Sequence, residues 1–390
     1  MSSPNKVPGP LDGVVIADFS RVLAGPYASM LLADFGATVI KVEDPDRGDD
    51  TRQWGPPFTS QGKATYFESV NRNKQSIGLD LRYSKDLYRA QNLARKADVV
   101  IENFKVGGLD KFKLDYHSVM KTNPQVVYCS ISGFGSKAGK ELPGYDLLIQ
   151  AMGGLMSVTG TDQPTKVGVA LVDVLTGLHA SNAVMAALIE REKSGIGQRL
   201  EVNLLSVLLS SMVNQSSAFV LGGVTPQRLG NAHPSISPYE IFDCSDRSIV
   251  IAVGNDSQFA NLCEALGISE LSADSRFTEN SKRVGNRDAL RGELDRALVA
   301  KTADHWFERL NRAGVPCGPI NSIPQAFELA EQLGLEPVRE GMVANPVSFS
   351  RTPVEYRLAP PRPRSFNRRN YFRIRIGYLA LILLRIFLIY

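Results

Sequence analysis

The sequence predicts an α/β protein: a parallel sheet covered on both faces by helices, followed by a small α+β segment. Strand and helix signals alternate through the first 130 residues, which is the pattern of βαβ units. Composition agrees, at 43% hydrophobic and 22% charged over 390 residues, ordinary for a globular chain with a sizeable core. A loop rich in Gly, Pro, Asn and His at 224–235 separates this part from the α+β segment.

Val14–Phe19 is a short apolar run, expected as a buried strand. Gly25-Pro26 opens a helix over Tyr27–Asp34, with Pro26 in its first turn. Gly36 closes that helix, and Thr38–Glu43 is the next strand. Ser76–Leu81 is a strand, Ser84 caps a helix reaching Ala97, and Asp98–Glu102 and Val126–Ile131 are further strands. Tyr145–Met152 is helical. Asp173–Lys193 is a long helix ending before Gly195, and Asn203–Leu221 is a second long, apolar one. Tyr239–Cys244 and Ser248–Val253 form a hairpin, followed by helices near 256–266, 287–300 and 303–313. Gly314–Ile320 reads as a Pro/Gly hinge leading back to the first domain. The expected division is therefore 1–222, 223–320, 321–360 and a divergent tail at 361–390.

The formal charge of +4 comes from that tail, which holds seven arginines and no acid. The 44 basic residues less these seven leave 37 against 40 acidic ones, so nucleic acid is not an expected partner. Cys129, Cys244, Cys263 and Cys317 show no paired spacing and the four histidines are scattered, so neither a metal site nor a disulfide framework is expected. That cysteine usage fits a reducing compartment. The N-terminus lacks the features of a signal or transit peptide, and the body shows no run of membrane-spanning length. A cytoplasmic location is expected, or a mitochondrial one in a eukaryote. The apolar stretch at 377–390 is short for a span, contains Arg385, and reads as a basic surface helix or a poorly packing tail.

Phosphate-loop, dinucleotide, nucleophile-elbow and zinc-protease signatures are all missing. One position carries a chemical signal. Asp173 follows the apolar segment VGVALV and starts the helix DVLTGLHASNAVMAALIERE. A carboxylate there meets unsatisfied N–H groups and the positive end of the helix dipole, which keeps it ionised as a nucleophile must be. Asp is also a favoured cap for structural reasons alone, and spacing by itself favours that alternative.

The segment LDGVVIADFSRVLAGPYASMLLADFGATVIKVE, followed in order by NRNKQSIGLDL, DVVIENFKVGGLDK, ISGFGSKAG, GYDLLIQAMGGLMSVTG and EREKSGIGQRLEVNLLS, resembles the class III CoA-transferase family over roughly residues 10–360. The resemblance implies an open, Rossmann-like α/β large domain plus a small α+β domain, in an interlocked obligate homodimer. It implies no resident cofactor, with CoA as co-substrate. It assigns the nucleophile to Asp173 and implies a mixed anhydride followed by an aspartyl-CoA thioester. CoA contacts carry over to Leu23 and Ala24, to Leu79, Asp80, Leu81 and Arg82, to Asn103, Phe104 and Lys105, to Lys111, and to Ser132, Gly133 and Phe134.

Leu23, Asp44 and Ser132 depart from the formyl-CoA enzymes. SRVLAGP, DDTRQWGPPF, SVNRNKQSI, GNAHPSISPYE and VGNDSQFANLC instead resemble the subgroup that uses succinyl-CoA with glutarate or related dicarboxylates. A second carboxylate needs an anchor, for which Arg21, Arg52 and His233 are the candidates; Arg52 has the alternative of a surface pair with Asp49 or Asp50. Two other functions stay in view. A 2-methylacyl-CoA racemase of the same fold would need a histidine where Tyr145 stands. The divergent tail could also leave a folded but inactive product.

Overall fold

The computed structural model describes residues 7–362, so the tail from residue 363 onward lies outside the described residues. The chain divides into two compact units: Met1–Gly153, Gly168–Ser217 and Val338–Tyr390 form the first, and Gly154–Val167 with Ala218–Pro337 the second. Three boundaries differ from those expected, the first unit giving way to the second at Ala218 rather than 223. Residues 154–167 go with the second unit, and the return to the first falls at Val338 rather than 321.

The large unit is built on six parallel strands: β1 (Val15–Asp18), β2 (Thr38–Glu43), β3 (Lys74–Gly78), β4 (Val99–Glu102), β5 (Val127–Ser132) and β6 (Arg199–Asn203). Their order is β3-β2-β1-β4-β5-β6. Central strands covered on both faces are nearly continuous in apolar residues. Ile16, Ala17, Val99, Val100 and Ile101 accordingly have no exposed surface. The chain reverses direction of travel across the sheet between β1 and β4, and in open α/β sheets that is where ligands bind, beyond the carboxyl ends.

Four helices concern the site: α1 (Ala24–Asp34), α2 (Ser84–Lys96), α3 (Asp146–Met152) and α4 (Leu171–Ser194). α1 is buried along nearly its whole length, so it shows no amphipathic stripe. α2 turns Ala90, Leu93 and Ala94 inward; its N-cap is Tyr83 rather than Ser84, without a side-chain cap. α4 ends at Gly195, whose φ of 72° is the left-handed closure that glycine permits. By length and composition α4 could cross a membrane, contrary to the expectation of no such run, but it packs against α1 within the large unit. The contact is close at Gly177, where a Cβ would lie 2.8 Å from the Ala24 carbonyl oxygen.

The expected helix over Asn203–Leu221 is two helices, Leu204–Ser211 and Val213–Val220. Val213, the first residue of the second, has φ 38°, and Asn203 caps the first by accepting the Ser206 N–H at 2.8 Å.

The return segment is tied in by the Asn71–Lys74 block. Arg72 forks onto Asp34 at 3.0 and 2.6 Å and donates to the Val343 carbonyl at 3.0 Å. Asn73, left-handed at φ 62°, donates its backbone N–H to Leu358 O at 2.8 Å. Its side chain accepts the N–H groups of Arg357 and Leu358 at 2.6 and 3.0 Å. Arg357 in turn covers the carbonyls of Ala33, Gly36 and Ala37, satisfying acceptors at and just beyond the C-terminus of α1.

In the second unit β7 (Tyr239–Asp243), β8 (Ser248–Ala252) and β9 (Cys317–Pro319) form an antiparallel sheet. The segment expected as a hinge thus supplies an edge strand, too short to show a period of two. Phe242, Ile249, Ile251, Phe259, Leu294 and Trp306 fill the core beneath it. Arg283 is buried there, donating to the Ser237 and Phe277 carbonyls and to Asp256. All four cysteines are free thiols.

Candidate active site

α4 begins at Leu171 with Ala170 at the N-cap position and no side-chain cap of its own. Asp173 is therefore the third residue of the first turn, which overturns the capping alternative. The acceptor that the helix end needs comes from Asp146, the first residue of α3. Asp146 Oδ1 accepts the N–H groups of Val172 and Asp173 at 2.8 and 3.3 Å, and its Oδ2 accepts Gln150 Nε2 at 2.6 Å. Two orphan donors of the turn are thus satisfied from a neighbouring helix. Among the described residues, no hydrogen bond or ion pair engages the Asp173 carboxylate oxygens.

Asp173 is half-buried. Burial, and then the negative charge of Asp146, push its carboxyl up to about 7. The expectation that the helix start alone holds it ionised is corrected: loss of water and a like charge outweigh the helix dipole. A half-buried carboxyl raised this far, facing no partner, is a functional-site candidate.

Tyr66 completes this corner. It packs with Ala170 and Val174 around Leu23, Met30 and Val70, and its ring meets Trp54 edge-on at 5.2 Å. Burial, followed by the charges of Asp173, Asp146 and Asp49, pushes its phenol up to about 12. Tyr66 keeps its proton and remains a hydroxyl donor. Sequence reasoning singles out neither Asp146 nor Tyr66. Asp146 stands beside Tyr145, which is exposed, and Tyr66 lies in no chemical motif.

The turns expected to hold CoA gather at the carboxyl ends of β1, β4 and β5. The Asn103 side chain accepts the Arg21 N–H at 2.9 Å and donates to the Arg21 carbonyl at 2.7 Å, stitching the first two turns together. The Arg21 guanidinium lies 5.1 Å from the Phe104 ring centre. Lys105 and Ser132 border a cavity of ≈ 60 Å³ with Glu102, Tyr116, Ser130 and Arg199. Gly133 meets Gly144 backbone to backbone, since a Cβ on Gly133 would fall 2.4 Å from the Gly144 Cα. That crossing fixes the approach to α3, and so the place of Asp146. Leu23 is buried at the start of α1 next to Ala24. Leu79, Asp80, Leu81 and Arg82 form the turn after β3, at the far edge of the sheet. There Arg82 pairs with Asp80 at 2.8 Å. Lys105 pairs with Glu141 at 2.6 Å, Lys111 lies 5.0 Å from the Phe112 ring centre, and Phe134 is half-buried.

Of the three dicarboxylate anchors, Arg52 has another task. It forks onto Glu43 with both bonds at 2.7 Å, stacks 3.7 Å over Phe67, and donates to the Pro361 carbonyl. Neither the anchor nor the expected pair with Asp49 or Asp50 describes it. Arg21 is half exposed and forms a long ion pair with Asp50 at 3.9 Å. His233 belongs to the second unit, where its Nδ1 accepts the Ser235 N–H at 3.1 Å and its ring lies 5.3 Å from Tyr239.

The sequence profile of CoA-transferase family III matches residues 11–364. The chain belongs to CoA-transferase family III. Among relatives of this CoA-transferase, the succinate–glutarate CoA-transferase of Agrobacterium fabrum is 41% identical over 92% of this chain and 94% of its own. The acetyl-CoA:oxalate CoA-transferase of Acetobacter aceti is 38% identical over 90% and 91%. A crystal structure of a CaiB/BaiF family protein from Brucella suis superposes with a TM-score of 0.82 at 42% identity, covering 91% of this chain and 97% of that one.

The charge of Asp146 gives this CoA-transferase a testable pH dependence. A nucleophilic carboxylate works only when ionised, so a transfer that uses Asp173 is expected to fall as pH drops below about 7. Asp146→Asn keeps an oxygen for the Val172 and Asp173 N–H groups but removes the like charge. The acid limb of the pH–rate profile is expected to move to lower pH, toward the ordinary carboxylate range. A limb that stays in place would show that Asp146 does not set the protonation of Asp173.

Proposed function

We propose that this enzyme moves CoA from succinyl-CoA to a dicarboxylic acid such as glutarate through a covalent intermediate on Asp173. The observation that carries this reading is the unpartnered Asp173 carboxyl, raised by burial and by Asp146, in the first turn of α4. The Asp173 carboxylate attacks the thioester carbonyl of succinyl-CoA, and CoA leaves as the thiolate from a mixed anhydride. The thiolate returns to the aspartyl carbonyl, releasing succinate and leaving an aspartyl-CoA thioester. A glutarate carboxylate attacks that thioester, freeing the thiolate again. Attack of the thiolate on the glutaryl carbonyl gives glutaryl-CoA and restores Asp173. Covalent exchange of this kind divides one difficult transfer into easier steps.

CoA enters and leaves as co-substrate, held by the turns after β1, β3, β4 and β5. Arg21 is the anchor for the distal carboxylate, because Arg52 is occupied by Glu43. The enzyme works as a homodimer. Exposed Leu147, Met152 and Leu209 in the first unit offer apolar surface of the kind a second copy buries.

Succinyl-CoA offered in turn with glutarate, other dicarboxylates of four to six carbons, oxalate and carnitine tests the reading. Glutarate and its neighbours in length are expected to give the highest kcat/KM, and Arg21→Gln to raise KM for them by ~10–100-fold, the scale of a lost charged hydrogen bond. Turnover confined to oxalate or carnitine would overturn the acceptor class, and racemisation of a 2-methylacyl-CoA without any acceptor acid would overturn the reaction.

A further inference from the structure

We propose that the buried Lys41–Asp49 pair is a positioning device for the β1–α1 turn: it holds Val22 in a left-handed backbone conformation and so fixes Leu23 and Ala24 against the helix that carries Asp173. This rests on the reading that the turn contacts CoA.

Val22 has φ 69°. A β-branched residue rarely adopts that conformation and keeps it only where its surroundings over-determine it. Here they do. The Val22 N–H faces both Asp49 oxygens at 3.4 and 3.3 Å. Asp49 also accepts the Thr51 N–H and hydroxyl at 3.0 and 2.7 Å, which fixes the carboxylate. Lys41 Nζ lies 2.8 Å from Asp49 and donates to the Ser20 carbonyl at 2.8 Å, two residues before Val22. Both side chains are without solvent exposure. Asn103 holds the intervening Arg21 by both backbone groups.

The turn also meets α4. A Cβ at Gly177 would lie 2.8 Å from the Ala24 carbonyl oxygen and 2.9 Å from Tyr27, so the turn and the first windings of α4 share one packed boundary. A Cβ at Gly25 would collide with Ser20 at 2.3 Å, which closes the other side. The turn is pinned from β2, from β4 and from α4, and the strained residue sits at its centre.

Apolar residues replace buried ion pairs with little or no loss of stability in many proteins. Neither Lys41 nor Asp49 reaches solvent, so neither touches a substrate. Their burial provides direction: three hydrogen bonds aimed at the backbone of one turn.

Lys41→Gln is the test, measured beside Val22→Gly and the double variant. In Lys41→Gln, amide hydrogen exchange at Val22–Gly25 is expected to speed up at least tenfold, and kcat/KM for the acyl-CoA to fall at least tenfold in protein that still melts cooperatively. Glycine adopts a φ of 69° without strain, so adding Val22→Gly to Lys41→Gln is expected to recover at least fivefold of both losses. If Lys41→Gln does not fold, Thr51→Val loosens Asp49 more gently and is expected to give threefold effects, again reversed by Val22→Gly. Unchanged exchange at 22–25, or a double variant no better than the single, would overturn the proposal and leave the pair a core feature only. Exchange is read without turnover, so a wild-type chain that transfers no CoA counts against the proposed function and not against this inference.

Discussion

Asp173→Ala is expected to lower kcat for CoA transfer by at least ~10³-fold, the scale on which loss of a covalent nucleophile acts. Binding of free CoA is expected to change little, because the turns proposed to hold it, after β1, β3, β4 and β5, remain intact. Asp173 projects from the first turn of a long helix whose N–H groups are satisfied by Asp146. Truncating it therefore removes a reactive oxygen without uncapping the helix. Intact-protein mass spectrometry after mixing with succinyl-CoA checks the same point. The wild-type chain should gain a hydroxylamine-sensitive adduct that maps to Asp173, and the variant none. Undiminished turnover in Asp173→Ala, or an adduct on another residue, would rule out the covalent mechanism.

Arg72→Leu is expected to destabilise the large unit by ~3–5 kcal/mol, the cost of leaving a buried carboxylate without its partner. Asp34 has no exposed surface and Arg72 very little. The loss should lower the melting temperature by roughly 6–15 °C for a unit of this size. Asn73 and Asn345 still donate to Asp34 after the change, but as neutral amides. Replacing both partners, Arg72→Leu with Asp34→Leu, should recover a large part of the loss, since no charge is then left unpaired. A single variant that melts within about 1 kcal/mol of the wild type would mean that water reaches Asp34 and the clamp is looser than its geometry indicates.

The parts of the fold legible in the sequence are those whose signal is local. β1, β2 and β4 are short apolar runs because both sheet faces are covered, and each lies within two residues of its expected bounds. β6 escapes sequence reasoning. Its residues, Arg199–Asn203, alternate charged and apolar side chains at the edge of the sheet, and they follow a turn that looks like the close of a helix. The break at Val213 is invisible for the opposite reason, since the apolar pattern runs on through it. Residues 154–167 carry no compositional mark of belonging with a unit that resumes at Ala218.

The site divides in the same way. Asp173 is legible from its place at a helix start and from the family's blocks. Its protonation is not, because it is raised by burial, which only the fold creates, and then by the charge of Asp146 on another helix. Arg52 looks available in the sequence because its nearest acids there are Asp49 and Asp50. The fold gives Asp49 to Lys41 and gives Arg52 to Glu43, across one turn of β2 and the segment beyond it.

The bonds from Asn73 to Arg357 and Leu358 also dictate an order of events during synthesis. The large unit is closed by residues that follow the second unit in the chain, so on the ribosome these bonds form only after everything up to Pro337 has emerged. The second unit is complete by then, although all six strands of the sheet precede Ala218. Domains commonly fold as they appear, in N-terminal to C-terminal order. Here the sheet's last tie to its own unit is made only after the second unit is complete.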